Sequence, residues 1–315
     1  MRVLCLVVFL AGLQFPPGAG WQPNSIKEQG QAPAKAPVKD GSVRQEANKG
    51  VQALPFKSGE TLSYDIHFSK FIFSGSLGRL KVAAVVVPPS PGAAARSGTK
   101  VERTTASPMV SSPNPGDEPA ISLTAQMVSK GFLTWLFGVK IEDSYESLVR
   151  ADDFGLIKSI KTVDDGKTHR KSESVVDQAK GMVTYTETDL TQPSAPPRIK
   201  KADSPKWVLD LLSVLYYVRS VHLDPGGNLM LPLSDAAQVY NVEAIAGNYE
   251  NVEVAAGKFR ALPLNVKLFD GHYIKRPGQL IVWLSTDPRH LLVKARIKTS
   301  GATVTVSLIE IVQSK

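Results

Sequence analysis

Residues 61–68 read Thr61-Leu62-Ser63-Tyr64-Asp65-Ile66-His67-Phe68, with an apolar side chain at every second position. Successive side chains of a strand point to opposite faces, so a period of two describes one buried and one wet face. The pattern recurs in Leu262, Leu264, Val266 and Leu268, with Ala261, Pro263, Asn265 and Lys267 between them. It returns in Leu291, Val293, Ala295 and Ile297, set against Lys294, Arg296 and Lys298. A single wet face marks antiparallel sheet. Pro263 lacks the amide that a central ladder needs, which predicts an edge position or a bulge there.

Similar runs lie near residues 71–87, 120–129, 140–150, 155–164, 168–176 and 181–188. Others follow near 228–233, 237–254, 279–285 and 302–312. Asp164-Asp165-Gly166, Asp270-Gly271 and Ser300-Gly301 fall between runs, where hairpins favour positive φ. Many short strands at this spacing predict a large antiparallel β-sandwich or a partly closed β-barrel. One long buried helix interrupts it. Asp203 or Ser204 can cap that helix, Pro205 suits its first turn, and it runs to about Val221. Its apolar residues point in nearly every direction, so it is buried on most sides, plugging the barrel mouth or crossing the concave face. Gly131–Phe137 is at most a short apolar turn.

The whole chain has 315 residues, 43% of them hydrophobic and 21% charged, a single cysteine and a formal charge of +8. This excludes wholesale disorder and a disulfide framework. Residues 1–20 join a basic start, an apolar run from Val3 to Leu13 and a small-residue region, the pattern of a secretory signal peptide. That run is too short to cross a bilayer of about 30 Å. Cleavage removes Cys5, and no Asn-x-Ser/Thr acceptor is present. We therefore expect a soluble periplasmic protein of a Gram-negative-type bacterium, without a transmembrane span. Residues 21–53, rich in Pro, Ala, Gln and Lys, read as a disordered linker. Residues 88–119 read as a disordered insertion in a single β-rich domain spanning 54–315.

Several segments resemble the bacterial exported family called domain of unknown function 3108. They include Pro55-Phe56-Lys57-Ser58-Gly59-Glu60-Thr61-Leu62-Ser63-Tyr64, then Ser129-Lys130-Gly131-Phe132 with Asp143, Tyr145, Glu146 and Ser147. The most specific is Asp210-Leu211-Leu212-Ser213 with Tyr216-Tyr217-Val218-Arg219. Pro225-Gly226, Ala256-Gly257-Lys258-Phe259 and Trp283-Leu284-Ser285-Thr286-Asp287 continue it. The resemblance implies an exported β-rich protein and supplies no mechanism.

No catalytic motif stands out. The histidines His67, His169, His222, His272 and His290 lack the spacing of a helical zinc site, so no metal and no cofactor is expected. His222 follows the helix and suits its C-terminal dipole. Gly75-Ser76-Leu77-Gly78 lacks the first glycine of a nucleophile elbow and reads instead as a bulge or a sharply bent strand. Neighbouring carboxylates such as Glu142-Asp143 face opposite ways on a strand. Lys158, Lys161, Lys167, His169, Arg170 and Lys171 gather around one hairpin. They offer either a solvated face or a surface for anionic partners. Nucleic acid is not among those partners, because the chain has no aromatic-basic binding motif.

Within the helix, Asp210 and Arg219 are nearly alone in charge and need partners, which makes them structural ion anchors. Trp207, Leu211, Leu215, Tyr216 and Tyr217 are the candidate pocket lining. Three functions fit: a non-enzymatic protein of envelope assembly or maintenance, working through envelope proteins; a carrier for an apolar or lipid-like ligand; or a carbohydrate- or ester-cleaving hydrolase. An apolar cavity beneath the helix favours the carrier over a purely structural role.

Overall fold

The computed structural model describes residues 54–71, 73–89, 119–129, 141–164, 169–268 and 278–313. The export segment, the 21–53 linker and nearly all of the 88–119 insertion lie outside the described residues. So do the turn at 131–137 and the turn positions 165–166 and 270–271.

The strands are β1 (Glu60–Lys70), β2 (Phe73–Val87), β3 (Ala120–Ser129), β4 (Glu142–Arg150) and β5 (Leu156–Asp164). Next come β6 (His169–Asp177), β7 (Met182–Asp189) and β8 (Arg198–Asp203). After the single described helix, α1 (Ser213–Ser220), follow β9 (Asn228–Asp235), β10 (Gln238–Ala246) and β11 (Glu250–Val254). The chain closes with β12 (Gly257–Val266), β13 (Gly278–Ser285), β14 (Leu292–Thr299) and β15 (Thr303–Val312). All fifteen belong to one antiparallel sheet, ordered β8-β7-β6-β5-β4-β3-β2-β1-β15-β14-β13-β12-β10-β9, with β11 beside β12. The two-sheet sandwich is thus not formed. The sheet rolls on itself, bringing β8 near β10, yet β8 and β9 do not pair and the barrel stays open.

Alternation places the core. On β1, Leu62, Tyr64 and Ile66 are buried, and each faces the inside of the roll. Full burial of such a side chain contributes about 1.5–3 kcal/mol relative to exposure. Bulges refine the simple period. On β14 the register slips between Trp283 and Leu284, whose partners are Lys294 and Leu292. The bulge at Val293 puts Leu292 rather than Val293 in line with Ala295 and Ile297. On β2, Leu77 is the extra residue between Ser76 and Gly78, so the Gly-Ser-Leu-Gly segment is a strand bulge. A side chain at Gly78 would meet the Val128 carbonyl at 2.4 Å, so this crossing requires glycine.

Pro263 lies on neither an edge strand nor a bulge. One side of β12 pairs with β13, while the other pairs with β11 up to Ala261 and with β10 from Leu264. Pro263 fills the gap between those partners, where no ladder needs its missing amide; its carbonyl accepts from Gly247 at 2.8 Å. At the Ser300-Gly301 turn the hairpin forms, with the Thr299 amide donating to Ala302 at 2.9 Å. Gly301 is not among the residues with positive φ.

The helix is shorter than its apolar run predicts. Residues 204–212 are not helical because their backbone groups are engaged by the sheet. Val208 accepts from Leu156 at 2.8 Å, and Leu209 donates to Pro232 at 2.9 Å and accepts from Ser234 at 2.7 Å. Leu209 thereby forms a parallel bridge to Leu233 of β9. This short strip links β5 to β9 and fastens one end of the open seam. Helical bonding starts only at Asp210, whose carbonyl accepts from Val214 at 3.0 Å.

Candidate functional site

The start of α1 is set by a reciprocal cap. Asp210 Oδ1 accepts from the amides of Leu212 at 3.2 Å and Ser213 at 2.7 Å, while Ser213 Oγ accepts from the Asp210 amide at 2.7 Å. Oδ2 accepts from Tyr145 at 3.1 Å and Ser147 at 2.5 Å, both on β4. A carboxylate 1% exposed therefore has four donors and no cation. Burial raises the Tyr145 phenol well above its ordinary pKa, and Asp210 and Asp235 add to that, so it stays protonated and donates.

At the other end, Arg219 is 1% exposed and Glu60 is fully buried. Their fork-to-fork bonds measure 2.7 and 3.1 Å. Arg219 also donates to the carbonyls of Pro55 at 3.3 Å and Arg289 at 3.2 Å, and its guanidinium stands 5.6 Å from the Phe56 ring and 5.2 Å from the Tyr216 ring. The last helical turn is finished by His290, whose Nδ1 donates to the Arg219 carbonyl at 2.7 Å. The expected partner, His222, is instead exposed and lies 3.7 Å from Asp224.

Between these anchors, the sheet and α1 enclose a cavity of about 260 Å³. Its wall follows the strand register. One belt crosses Leu62, Val82, Ala125, Tyr145 and Lys161 on β1 to β5. Another crosses Ile66, Val306, Ala295, Val282 and Leu264 on β1, β15, β14, β13 and β12. The turn leading into the helix adds Leu211, and the helix adds Val214, Leu215 and Val218, spaced so that all four face one side. The first three remain partly exposed although they lie inside the roll, because they face the cavity.

Of the candidate lining residues, Leu211, Leu215 and Tyr216 border the cavity. Trp207 and Tyr217 do not, and this corrects their assignment. They pack edge-to-face at 5.1 Å on the opposite side of the helix, where Tyr217 also meets Phe154 at 6.3 Å. Trp207 donates to the Asp153 carbonyl at 3.0 Å, which holds the indole against the sheet. Tyr216 sits at the junction, 5.2 Å from the Phe56 ring. Its hydroxyl is the one buried side-chain polar atom without a hydrogen-bond partner among the described residues. Such a group costs about 1–3 kcal/mol. Tyr216→Phe is therefore expected to raise stability by about 1 kcal/mol in urea denaturation; a loss of stability would show that the hydroxyl is satisfied.

Glu60, Phe56 and Phe154 escaped the sequence reading as partners of the helix. Glu60 lay within a quoted motif, but nothing in its neighbourhood marks it as the partner of a residue 159 positions away. Three cations of the basic hairpin are paired: Lys158 with Glu173 at 3.1 Å, His169 with Asp164 at 3.2 Å and Arg170 with Glu187 at 3.6 Å. Lys294 and Arg296 lie over the Trp283 ring at 5.5 and 5.2 Å. Among the described residues, no three His, Cys, Asp or Glu side chains are grouped to hold a metal ion. Nor is any described helix long and apolar enough to cross a membrane.

Comparisons with known proteins bear on the fold. The crystal structure of a β-barrel-like protein of domain of unknown function DUF1849 from Brucella abortus superposes with a TM-score of 0.51. The two chains are 10% identical, and the match covers 84% of this chain and 100% of that one. A Bacteroides fragilis protein described as exported, with a YmcC-like fold, matches at 8% identity and a TM-score of 0.33, over 82% of this chain and 98% of its own. A Parabacteroides distasonis protein described as a lipoprotein matches at 8% identity and a TM-score of 0.27, over the same shares. No curated protein matches the sequence. The profile of the family described as "Protein of unknown function (DUF3108)" matches residues 95–309, a range that holds the helix and both of its buried anchors Asp210 and Arg219 but not Glu60. The chain belongs to that family.

Proposed function

We propose that the protein is an exported, periplasmic binding module that carries an apolar or lipid-like ligand inside its rolled sheet and so serves the bacterial envelope. The observation that carries this reading is the unfilled apolar interior. Protein cores pack to crystal-like density, with few voids larger than a water molecule. Here an apolar stripe of Leu211, Val214 and Leu215, on α1 and the turn before it, faces about 260 Å³ of space, against roughly 150 Å³ in an engineered apolar cavity that binds benzene. A purely structural role leaves that space unexplained. A two-carboxylate hydrolase is poorly served, since among the described residues Asp143 is the one carboxylate on the wall. Export rests on residues 1–20 of the sequence.

The test fills the cavity. Ala125 and Ala295 stand on different strands of the wall. The double variant Ala125→Phe/Ala295→Phe is expected to weaken binding of the fluorescent apolar probe N-phenyl-1-naphthylamine by at least about tenfold. The parent protein should enhance the probe's emission, and the melting temperature of the filled variant should hold. A parent that leaves the probe dark, or a filled variant that binds it unchanged, would remove the basis of the proposal.

A further inference from the structure

The wall of the cavity stops at two places. β5 is the last strand to line it on one side and β9 on the other; β6, β7 and β8 contribute no lining residue. Lys161 is the lining residue of β5, at the end of the belt that begins at Leu62. It is half-buried, directly opposite Tyr145 in register. A lysine in such a place lays its methylene stem along apolar wall and holds its ammonium at the wet margin.

Among the described residues its charge has no compensating partner. The neighbouring cations Lys158, His169 and Arg170 each have an acidic partner, whereas no ion pair or hydrogen bond engages Lys161 among the described residues. The acids on the same stretch are engaged elsewhere: Asp143 accepts the Asp164 amide at 3.2 Å, and Asp210 holds its four donors. Arg219 also borders the cavity, but Glu60 neutralises it. Among the described residues, Lys161 is thus the one cation on the wall left without an acidic partner.

Building on the apolar-carrier reading, we infer that the ligand is a single-chain amphiphile with an anionic head, a carboxylate or a phosphate, paired with Lys161 at the β5 margin of the cavity wall. Its tail lies along Val82 and Ala125 toward Leu211 and Leu215. One chain suits the volume, which is less than twice that of a benzene-sized cavity. The anionic oxygen and the ammonium form a charge-assisted bond at a partly desolvated margin, where such bonds are strongest.

The experiment uses protein produced from the complete chain and measures displacement of N-phenyl-1-naphthylamine by dodecanoate, dodecyl phosphate and dodecan-1-ol, all below micelle formation. Both anions are expected to bind about tenfold more tightly than the alcohol. Lys161→Met should erase that preference, and Lys161→Arg should retain it. A preference shown by only one anion assigns the head to that chemistry and supports the inference. Equal binding of all three by the parent, or a preference that survives Lys161→Met, overturns the inference and leaves the apolar-carrier reading intact. A parent that binds neither the probe nor any of the three overturns both. The parent's ranking needs no variant, so a poorly folding Lys161→Met would not spare the inference.

Discussion

Arg219→Met is expected to lower the unfolding free energy by about 3–5 kcal/mol, the usual cost of removing one partner from a buried ion pair. Methionine fills much of the space, so packing is not the main loss. What remains is Glu60, fully buried and facing no cation. The carbonyls of Pro55 and Arg289 also lose a donor. Urea denaturation measures the effect, and the double variant Glu60→Leu/Arg219→Met separates its causes. Replacing both ions by apolar groups is often nearly neutral, so the double variant should recover most of the loss. If the single variant melts like the parent, the pair is not holding the helix to the start of β1. If both variants are equally unstable, the loss lies in the carbonyl contacts and ring stacking around Arg219.

The second large effect is at Asp210. Asp210→Ala removes the acceptor for two helix amides and two β4 hydroxyls at once, and is expected to cost about 3 kcal/mol or more. The hydroxyls of Tyr145 and Ser147 can rotate to accept from an amide, so Asp210→Asn should cost only about 1 kcal/mol. A large gap between the two variants in denaturant midpoint identifies hydrogen-bond count as the cause. Equal losses would identify the charge itself.

Much of the strand layout is legible because each inward face is apolar and each outward face is not. The run near 237–254 nevertheless splits into β10 and β11, since the chain leaves the sheet at Gly247-Asn248-Tyr249 to pass Pro263. β8, reading Arg-Ile-Lys-Lys-Ala-Asp, has no apolar alternation because it lies at the margin of the sheet and buries little. The helix start is misread because capping and turn residues at 203–205 look sufficient locally, while the bonds that hold Val208 and Leu209 come from β5 and β9. Candidate wall positions are half legible for a related reason. Trp207 and Tyr217 also offer large apolar surfaces, and only packing against Phe154 and the Asp153 carbonyl turns that pair away from the space that Leu211 and Leu215 face. The cavity itself is a deficit of side-chain volume summed over many strands, which no local pattern records.

A sheet that rolls without closing keeps two free edges, and free edges invite strand addition by other chains. On β9 the backbone is already occupied: Leu209 binds at Pro232 and Ser234, and Pro232 has no amide to offer. On β8, Arg198, Lys200 and Lys201 put three cations into six residues, so a second copy approaching edge to edge meets its own charge. The opening at the seam is thus flanked by one edge that the chain itself holds at Pro232 and Ser234 and by another that repels its like.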